Sequence, residues 1–268
     1  LRFDEVALSW RGEPLMHPEF ALVLRWLLEQ MEQHQVFARL RLETDGRLLN
    51  TEIADIAAFH GNIPQTWIVR GDAVDPWEPQ VLKNVDYFLR MRRPAQRVLA
   101  SWVVSEDIDP FRFVETWEPR LKAPWIAVGR ERPDGDGVWF RRTDHNHFQA
   151  NAEARRRLEE LAEVLDVAPE AGEADAPRRC PGVFSTPVVS WDGKITLCPR
   201  DRALRNRVGE ATSDSLARLW LQEPSLQALR REAVGKGVPG ADLCRDCHFV
   251  FSPNYRQATS EDLEPFEL

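Results

Sequence analysis

Cysteine is scarce in this sequence and absent from most of it. The 268 residues contain four cysteines, and none precedes Cys180. No apolar run approaches the roughly 18 residues of a membrane span, and no basic segment followed by an apolar stretch opens the chain. The sequence therefore predicts neither a transmembrane helix nor a signal peptide, and we expect a cytoplasmic protein.

A basic surface is lacking as well. The chain has 43 acidic and 35 basic residues, a formal net charge of −8 at pH 7, and no basic stripe of the kind that a phosphate backbone requires. We therefore expect neither nucleic acid nor a membrane among its partners. The apolar fraction of 43% is sufficient for one large domain or two smaller ones.

Short β-like runs alternate with longer amphipathic stretches in the first half of the chain. This alternation is typical of parallel β/α units joined by right-handed crossovers. The predicted strands cover residues 4–10, 37–44, 65–70, 97–104 and 124–129, and the predicted helices cover residues 18–33, 50–60, 77–91 and 109–121. The predicted fold class is α/β.

A linker separates this part from a C-terminal part with a different pattern. A weaker helix is predicted over residues 149–165. The segment 168–179 follows it and is rich in Ala, Pro, Gly and acidic residues without apolar periodicity, which is typical of a linker.

Beyond the linker, the pattern predicts a hairpin and two helices. Residues 186–198 form two β-like runs around Asp192-Gly193, a dipeptide that suits the positive φ angles of a tight hairpin turn. The first predicted helix is capped by Ser213 or Asp214 and carries Leu216, Leu219 and Trp220, and the second runs from about Pro224 to Val234.

The four cysteines are Cys180, Cys198, Cys244 and Cys247. A reducing cytosol argues against two structural disulfides, and the C-x-x-C spacing of the last two suits a metal centre. Thiolates bind both iron–sulfur clusters and zinc, and the spacing alone favours the two nearly equally.

A second motif follows the first predicted strand. Gly12, Glu13 and Pro14 lie between this strand and the first predicted helix, at the edge of the sheet where parallel β/α folds bind ligands. A glycine there allows a ligand to approach the backbone, and Glu13 offers a carboxylate for an ammonium group. The structural alternative is a helix-entry turn with Pro18 in the first turn.

Together these residues resemble the radical S-adenosylmethionine (SAM) enzymes. RGEPLMHPEF (11–20) resembles the family's GGEPLLHP motif, and LETDGRLL (42–49) resembles its next strand and loop, TNG-x-LL. The C-terminal part resembles the SPASM domain. That resemblance rests on Cys180, Gly193 and Cys198 in the pattern C-x9–15-G-x4-C, on the DSLARLW helix and on the closing C-x-x-C.

The resemblance implies an architecture. It implies a partial (β/α)6 barrel of radical SAM type over residues 1–167, a linker over 168–179 and a SPASM-like iron–sulfur domain over 180–268. The family's CxxxCxxC motif, which holds the cluster that cleaves SAM, does not occur among the four cysteines. Barrels of this family carry that motif after their first strand. We therefore expect an upstream segment with a second 4Fe-4S cluster, and this chain to begin at the second strand.

The resemblance also implies a function. It implies hydrogen abstraction from a peptide or small-molecule substrate by an oxidoreductase or maturase, with an electron donor such as flavodoxin or ferredoxin. Gly12, Glu13 and Pro14 hold the amino group of SAM in this scheme, with Thr44 and Arg70 near its ribose or carboxylate. The four cysteines hold one auxiliary 4Fe-4S cluster. The alternative is a degenerate, non-catalytic relative that binds a peptide or a partner protein.

Three further polar residues are candidates. Asp201 lies just past Cys198, where SPASM enzymes carry an acid near the substrate, and is predicted to accept a proton from a substrate radical. The alternative is a turn residue before Arg202. His145 and His147 are candidate ligands or proton carriers, with a polar loop as the alternative.

Overall fold

The chain divides into two compact units, and the computed structural model describes part of each. The described residues are 3–71, 77–103, 110–121, 124–126, 135–141, 160, 163, 182–199, 201–236, 244 and 266. One unit comprises residues 2–170, and the other comprises residues 171–268 together with residue 1. None of the described helices has both the length and the apolar character needed to cross a membrane.

The N-terminal unit contains a parallel six-stranded sheet in its described part. The strands are β1 (Phe3–Ala7), β2 (Phe37–Thr44), β3 (Gln65–Arg70), β4 (Gln96–Val103), β5 (Pro124–Ile126) and β6 (Gly137–Arg141). Their order is β1-β2-β3-β4-β6-β5, and every neighbouring pair is parallel. The predicted α/β class is therefore confirmed.

Strand β6 is a correction to the five strands that the sequence predicts. It lies between β4 and β5, and Asp136 immediately precedes it. The buried carboxylate of Asp136 accepts hydrogen bonds from the guanidinium of Arg92 and, at 2.9 Å, from the backbone N–H of Val98. Because these contacts come from distant parts of the chain, the local sequence does not reveal this strand.

Four helices connect the strands. They are α1 (Phe20–His34), α2 (Thr51–Phe59), α3 (Pro79–Met91) and α4 (Pro110–Trp117). Asn50 caps α2 by accepting a hydrogen bond from the N–H of Ile53, and α1 ends at Gln35 in the left-handed conformation, with φ 50°. The sequence predicts all four helices, with ends that differ by at most four residues.

The helices pack on one face of the sheet. Alternate strand residues are buried with the helices in one core: Leu40, Leu42, Trp67, Val69, Val98, Ala100 and Trp102. Successive strand residues point to opposite faces, so the residues between them, including Glu43, Arg70 and Ser101, belong to the other face. Polar side chains therefore reach the carboxyl edge of the sheet on the face away from the helices.

The C-terminal unit contains a small antiparallel sheet of order β7-β8-β9. Its strands are β7 (Val188–Val189), β8 (Lys194–Thr196) and β9 (Arg207–Glu210), and its helices are α5 (Gly182–Ser185), α6 (Leu216–Gln222) and α7 (Pro224–Lys236). The predicted antiparallel hairpin of β7 and β8 is confirmed. Of the Asp192-Gly193 dipeptide only Gly193 has a positive φ, +82°, and the N–H of Ser190 bonds to the carbonyl oxygen of Lys194, so the loop is longer than the predicted two residues.

Two details of this unit differ from the sequence-based expectations. Helix α6 is capped by Ser215, whose Oγ accepts a hydrogen bond from the N–H of Arg218 at 3.1 Å, and not by Ser213 or Asp214. Asp214 instead forms an ion pair with Arg218. Strand β9 is not predicted by the sequence, since RVGE has no alternating apolar pattern and its pairing with β8 supplies the strand conformation.

Two predicted segments cannot be compared with the structure. The predicted helix over 149–165 lies outside the described residues apart from positions 160 and 163. The predicted linker 168–179 lies wholly outside them.

Candidate functional site

The carboxylate of Glu13 connects the carboxyl ends of β1 and β2. Its Oε1 accepts hydrogen bonds from the N–H of Leu15 at 3.0 Å and from Thr44 Oγ1 at 2.8 Å, and its Oε2 accepts from the N–H of Asp45 at 2.7 Å. The bond from Leu15 also caps the short 3-10 helix Pro14–Met16. A carboxylate has about four acceptor sites, so this arrangement orients Glu13 and leaves capacity for one further donor.

Gly12 shapes the turn that presents Glu13. Its φ is +80°, which side chains of L-residues rarely adopt, and a Cβ at this position would meet no atom within 4 Å. Gly12 is exposed and Glu13 is half-buried. Pro14 begins the 3-10 helix and has no N–H to satisfy there. The backbone beside the carboxylate therefore has open space at Gly12, and its role in binding a ligand stays a prediction.

Thr44 serves Glu13. The residue is fully buried at the end of β2, where its hydroxyl donates to Glu13 and accepts from the N–H of Gly46 at 3.1 Å. Both hydrogen-bonding functions of the hydroxyl are thus used within the protein. The contacts of Thr44 are those of a residue that positions the Glu13 carboxylate.

Asn84 stabilises the loop after β2 by hydrogen bonds. It is not among the residues predicted from the sequence. Its Nδ2 donates to the carbonyl oxygens of Gly46 and Arg47, both at 2.9 Å, and Gln80 Nε2 donates to its Oδ1 at 2.7 Å. Asn84 lies on the buried stripe of α3 that also carries Val81. A polar residue inside an apolar helix stripe is the sequence signal that identifies such a position.

Arg70 and Ser101 lie side by side at the same edge, at the ends of β3 and β4. Their Cα atoms are register partners, and Ser101 is fully buried. Within the described part of the chain, Arg70 Nε and Ser101 Oγ are buried without a hydrogen-bond partner. Buried polar atoms are nearly always paired, so these two donors indicate a place where a ligand supplies acceptors. Ser101 is not among the residues predicted from the sequence, although a lone serine in the apolar run VLASWVV is a recognisable signal.

The structure therefore places five predicted residues along one edge of the sheet: Gly12, Glu13 and Pro14 after β1, Thr44 at the end of β2 and Arg70 at the end of β3. The edge combines one carboxylate that has acceptor capacity with two donors that lack acceptors. Such a combination is complementary to a molecule that carries both an ammonium and a carboxylate or hydroxyl group.

The predicted metal site is described only in part. Cys198, which lies two residues after the end of β8, and Cys244 are half-buried, whereas Cys180 and Cys247 lie outside the described residues. Among the residues that the structure describes, no group of three or more His, Cys, Asp or Glu side chains is placed to hold a metal ion. The four-cysteine site therefore stays a prediction at the level of geometry.

Asp201 is buried, at 1% exposure, in the turn between β8 and β9. Its Oδ2 accepts from Thr196 Oγ1 and from the N–H of Asn206, both at 2.7 Å, and its Oδ1 accepts from the N–H of Arg205 at 2.8 Å. These contacts are those of a residue that organises a turn. Its catalytic role stays a prediction, and the candidate residues His145 and His147 lie outside the described residues.

Comparison with a protein-family model identifies the C-terminal part. Residues 180–248 match SPASM, an iron–sulfur cluster-binding domain, which confirms the resemblance that the cysteine pattern carries. This match covers the ranges of α5, α6 and α7 together with the antiparallel sheet. A search of curated proteins finds no significant match.

Solved structures of other proteins are similar to this chain over more than nine-tenths of its length. A structure of hexahistidine-tagged anSMEcpe with bound AdoMet is similar over 98% of this chain and 77% of that one, with a TM-score of 0.52 and 10% identity. BtrN in complex with AdoMet and 2-DOIA is similar over 96% and 97%, with a TM-score of 0.47 and 14% identity. BtrN in an open conformation has a TM-score of 0.42 and 13% identity over 91% and 92%. At this level of identity, the likeness to anSMEcpe concerns the fold.

Proposed function

We propose that this chain belongs to a radical SAM/SPASM oxidoreductase or maturase that removes hydrogen from a peptide or small-molecule substrate, with the SAM-cleaving 4Fe-4S cluster held by a CxxxCxxC motif other than the four cysteines of this chain. In this proposal the parallel sheet is a partial (β/α)6 barrel of radical SAM type, and SAM binds at the carboxyl edge of β1 to β4. The cysteines Cys180, Cys198, Cys244 and Cys247 hold an auxiliary 4Fe-4S cluster. The SPASM match and the fold likeness to a structure with bound AdoMet support this assignment.

The Glu13 arrangement is the observation that carries the proposal. An ammonium group needs an oriented acceptor, and the carboxylate of Glu13 is held by three donors while one acceptor site is left. The adjacent backbone at Gly12 has open space where a side chain would stand. The amino-acid part of SAM carries an ammonium and a carboxylate. Arg70 Nε and Ser101 Oγ, two buried donors without acceptors, suit the second group.

Each residue then has a distinct role. Hydrogen-atom abstraction is the chemistry that SAM and a reducing cluster supply when bound in this family. Glu13 accepts the ammonium, Thr44 and the N–H of Asp45 hold Glu13 in place, and Arg70 with Ser101 binds the carboxylate or a ribose hydroxyl. Asn84 keeps the loop after β2 in the conformation that presents the N–H of Asp45.

The cysteines fit the auxiliary cluster by their chemistry. Four thiolates in one small unit are ligands for iron–sulfur clusters, and the family match assigns this class over zinc. Half-burial of Cys198 and Cys244 is compatible with a centre that is shielded from bulk water. In the proposal this centre exchanges an electron with the substrate or binds it, and flavodoxin or ferredoxin serves as the external electron donor.

Two measurements on the chain test the proposal. Isothermal titration calorimetry with SAM tests the sheet edge, and we expect a single binding site. Iron and acid-labile sulfide analysis after anaerobic reconstitution tests the cysteines, and we expect about four of each per chain. Zinc without labile sulfide contradicts the cluster. A chain that does not bind SAM contradicts the SAM site at the sheet edge. The same result with the SAM-cleaving cluster present contradicts the enzyme assignment and supports the non-catalytic alternative.

A further inference from the structure

Arg230 is a buried arginine in the C-terminal unit. It lies on α7 with no exposed surface, and its guanidinium stacks over the ring of Trp220 at 4.8 Å and over the ring of Phe266 at 3.6 Å. Its Nε donates a hydrogen bond to the carbonyl oxygen of Val183 at 3.0 Å. The side chain is therefore held between aromatic rings and the helix α5.

The charge of this guanidinium has no anionic partner among the residues that the structure describes. Within the described part of the chain, Nη1 and Nη2 are buried without a hydrogen-bond partner, and no carboxylate forms an ion pair with Arg230. Burial lowers the pKa of Arg230 to about 10, so the side chain remains protonated at neutral pH. A buried and unpaired positive charge is strongly unfavourable, and such charges are normally retained only opposite an anion.

The position of Val183 indicates which anion is near. Val183 follows Cys180 by three residues, so the Cα atoms of the two lie within roughly 11 Å of each other by chain length alone. The guanidinium thus contacts the helix α5, which begins two residues after the first of the four cysteines. An iron–sulfur cluster with four thiolate ligands has a net negative charge and accepts hydrogen bonds at its sulfur atoms.

We propose that Arg230 is the buried counter-cation of the auxiliary iron–sulfur cluster and sets its reduction potential. This inference rests on the proposed function of the cysteines. Reduction adds one negative charge to the cluster, and a nearby positive charge in a low-dielectric site stabilises the reduced form. Arg230 therefore raises the reduction potential, and it acts as a positioning and tuning residue without being a ligand.

Phe266 completes this arrangement by covering the guanidinium. Its ring also packs near Phe184, with ring centroids 6.1 Å apart, and its carbonyl oxygen accepts a hydrogen bond from Gln227 Nε2 at 3.1 Å. These contacts attach Phe266 to both α5 and α7. An aromatic cover keeps water from screening the charge, which strengthens its effect on a neighbouring anion.

The test compares charge removal at two adjacent positions of the full chain. Arg230→Met removes the buried charge and keeps the unbranched shape, whereas Arg231→Met removes an exposed charge one residue later. After reconstitution, iron and sulfide are quantified and the midpoint potential is measured by an EPR-monitored titration. We expect Arg230→Met to shift the reduction equilibrium by about tenfold or more toward the oxidised form, about 59 mV for a one-electron couple. Arg231→Met shifts it much less, and Arg230→Lys retains most of the wild-type potential.

The outcomes separate this inference from the proposed function. A wild-type chain without iron and sulfide overturns the cluster itself. A loaded chain in which Arg230→Met and Arg231→Met have the same potential overturns the role of Arg230. If Arg230→Met does not fold, Phe266→Ala provides the second measurement, because water admitted to the guanidinium lowers the potential if Arg230 is the counter-cation. The charge mechanism is overturned if Phe266→Ala, which exposes the charge to water, leaves the reduction potential unchanged while Arg230→Lys, which keeps the charge, alters it.

Discussion

The hydroxyl of Thr44 donates a 2.8 Å hydrogen bond to Oε1 of Glu13, a residue 31 positions earlier in the chain. The same carboxylate accepts the N–H of the residue that follows Thr44. Two strand ends are thus joined through a single side chain. Because Glu13 is oriented by residues of the neighbouring strand, the conformation of the loop after β1 depends on the conformation of the loop after β2.

Replacing Glu13 by Gln tests the ammonium acceptor. The amide replaces one of the two acceptor oxygens with an NH2 group, which cannot accept from Thr44 Oγ1 or the N–H of Asp45, and it removes the negative charge. We expect the affinity for SAM, measured by calorimetry, to fall by roughly tenfold or more and the free energy of unfolding to fall by about 1–2 kcal/mol. Glu19→Gln is the control, because Glu19 is exposed and makes no capping bond. Equal affinities in the two variants contradict the assignment of Glu13.

Replacing Thr44 by Val tests the role of its hydroxyl in positioning Glu13. The substitution keeps the shape and leaves a Glu13 oxygen and the N–H of Gly46 without this partner. The expected loss in the free energy of unfolding, measured by urea denaturation, is about 1–3 kcal/mol. Thr44→Ser retains most of the stability. In Thr116→Val, which removes an exposed hydrogen bond within α4, the loss is below about 0.5 kcal/mol. A similar loss in both valine variants excludes a special role for Thr44.

Gly12 and Gly46 have nearly the same φ angle, so their alanine variants distinguish backbone strain from steric crowding. Gly12 has φ +80° with open space around it, whereas a Cβ at Gly46, φ +81°, lies 3.0 Å from Val81 Cγ1. Gly12→Ala costs about 1–2 kcal/mol of stability from the left-handed conformation, and Gly46→Ala costs at least about 1 kcal/mol more because of the contact. SAM affinity, in contrast, falls in Gly12→Ala, because the methyl group occupies the open approach to the backbone. Calorimetry and urea denaturation of both variants measure the two effects, and reversal of the stability order refutes this interpretation.

Replacing Asp201 by Asn distinguishes a turn residue from a catalytic acid. One oxygen of its carboxylate becomes an amide nitrogen, which cannot accept from the N–H groups of Arg205 or Asn206. The contacts in the structure predict a loss of about 1–3 kcal/mol in the free energy of unfolding. A variant with wild-type stability and no turnover indicates the catalytic role instead.

The contacts of Asp192 in the hairpin turn predict that the stability of the folded state depends on pH below about 4. Hydrogen bonds from Lys194 and Ser190 lower the pKa of Asp192 from 3.8 to about 2. The folded state therefore binds this proton less tightly than the unfolded state. The stabilisation is fully present above the unfolded pKa of 3.8 and is lost as the pH falls from there through about 2. NMR titration of the Asp192 carboxyl carbon in the folded protein measures the midpoint directly. A midpoint near 3.8 in the wild-type protein contradicts this prediction. In Lys194→Met, which removes the largest cause of the shift, we expect a higher midpoint than in wild type.

Features with a local cause can be predicted from the sequence. The Asp192-Gly193 hairpin is one of them, because its turn depends on the φ of a single glycine. The ranges of α1 to α4 are another, since each helix has its own apolar stripe and end signals. The position of Gly12 and Glu13 in the turn after the first strand can also be predicted, because a short motif after a strand is contiguous in sequence.

Features that depend on contacts between residues far apart in the chain cannot be predicted from the sequence. Strand β6 is held beside β4 by the carboxylate of Asp136, which binds Arg92 and the N–H of Val98 from the preceding helix end and strand. The roles of Asn84 and Ser101 depend likewise on the loop after β2 and on the neighbouring Arg70. No window of sequence contains both partners of these contacts.

The sequence by itself determined the parallel β/α class, the hairpin, the four-cysteine pattern and the motif that presents Glu13, because each is written in nearby residues or in a simple periodicity. Only the tertiary structure decided the order of strands, the use of Thr44 and Asn84 to hold Glu13 and its loop, and the burial of Arg230 between two rings. Those features arise from hydrogen bonds, packing and desolvation between residues that are far apart in the chain, and their energies exist only once the chain has folded.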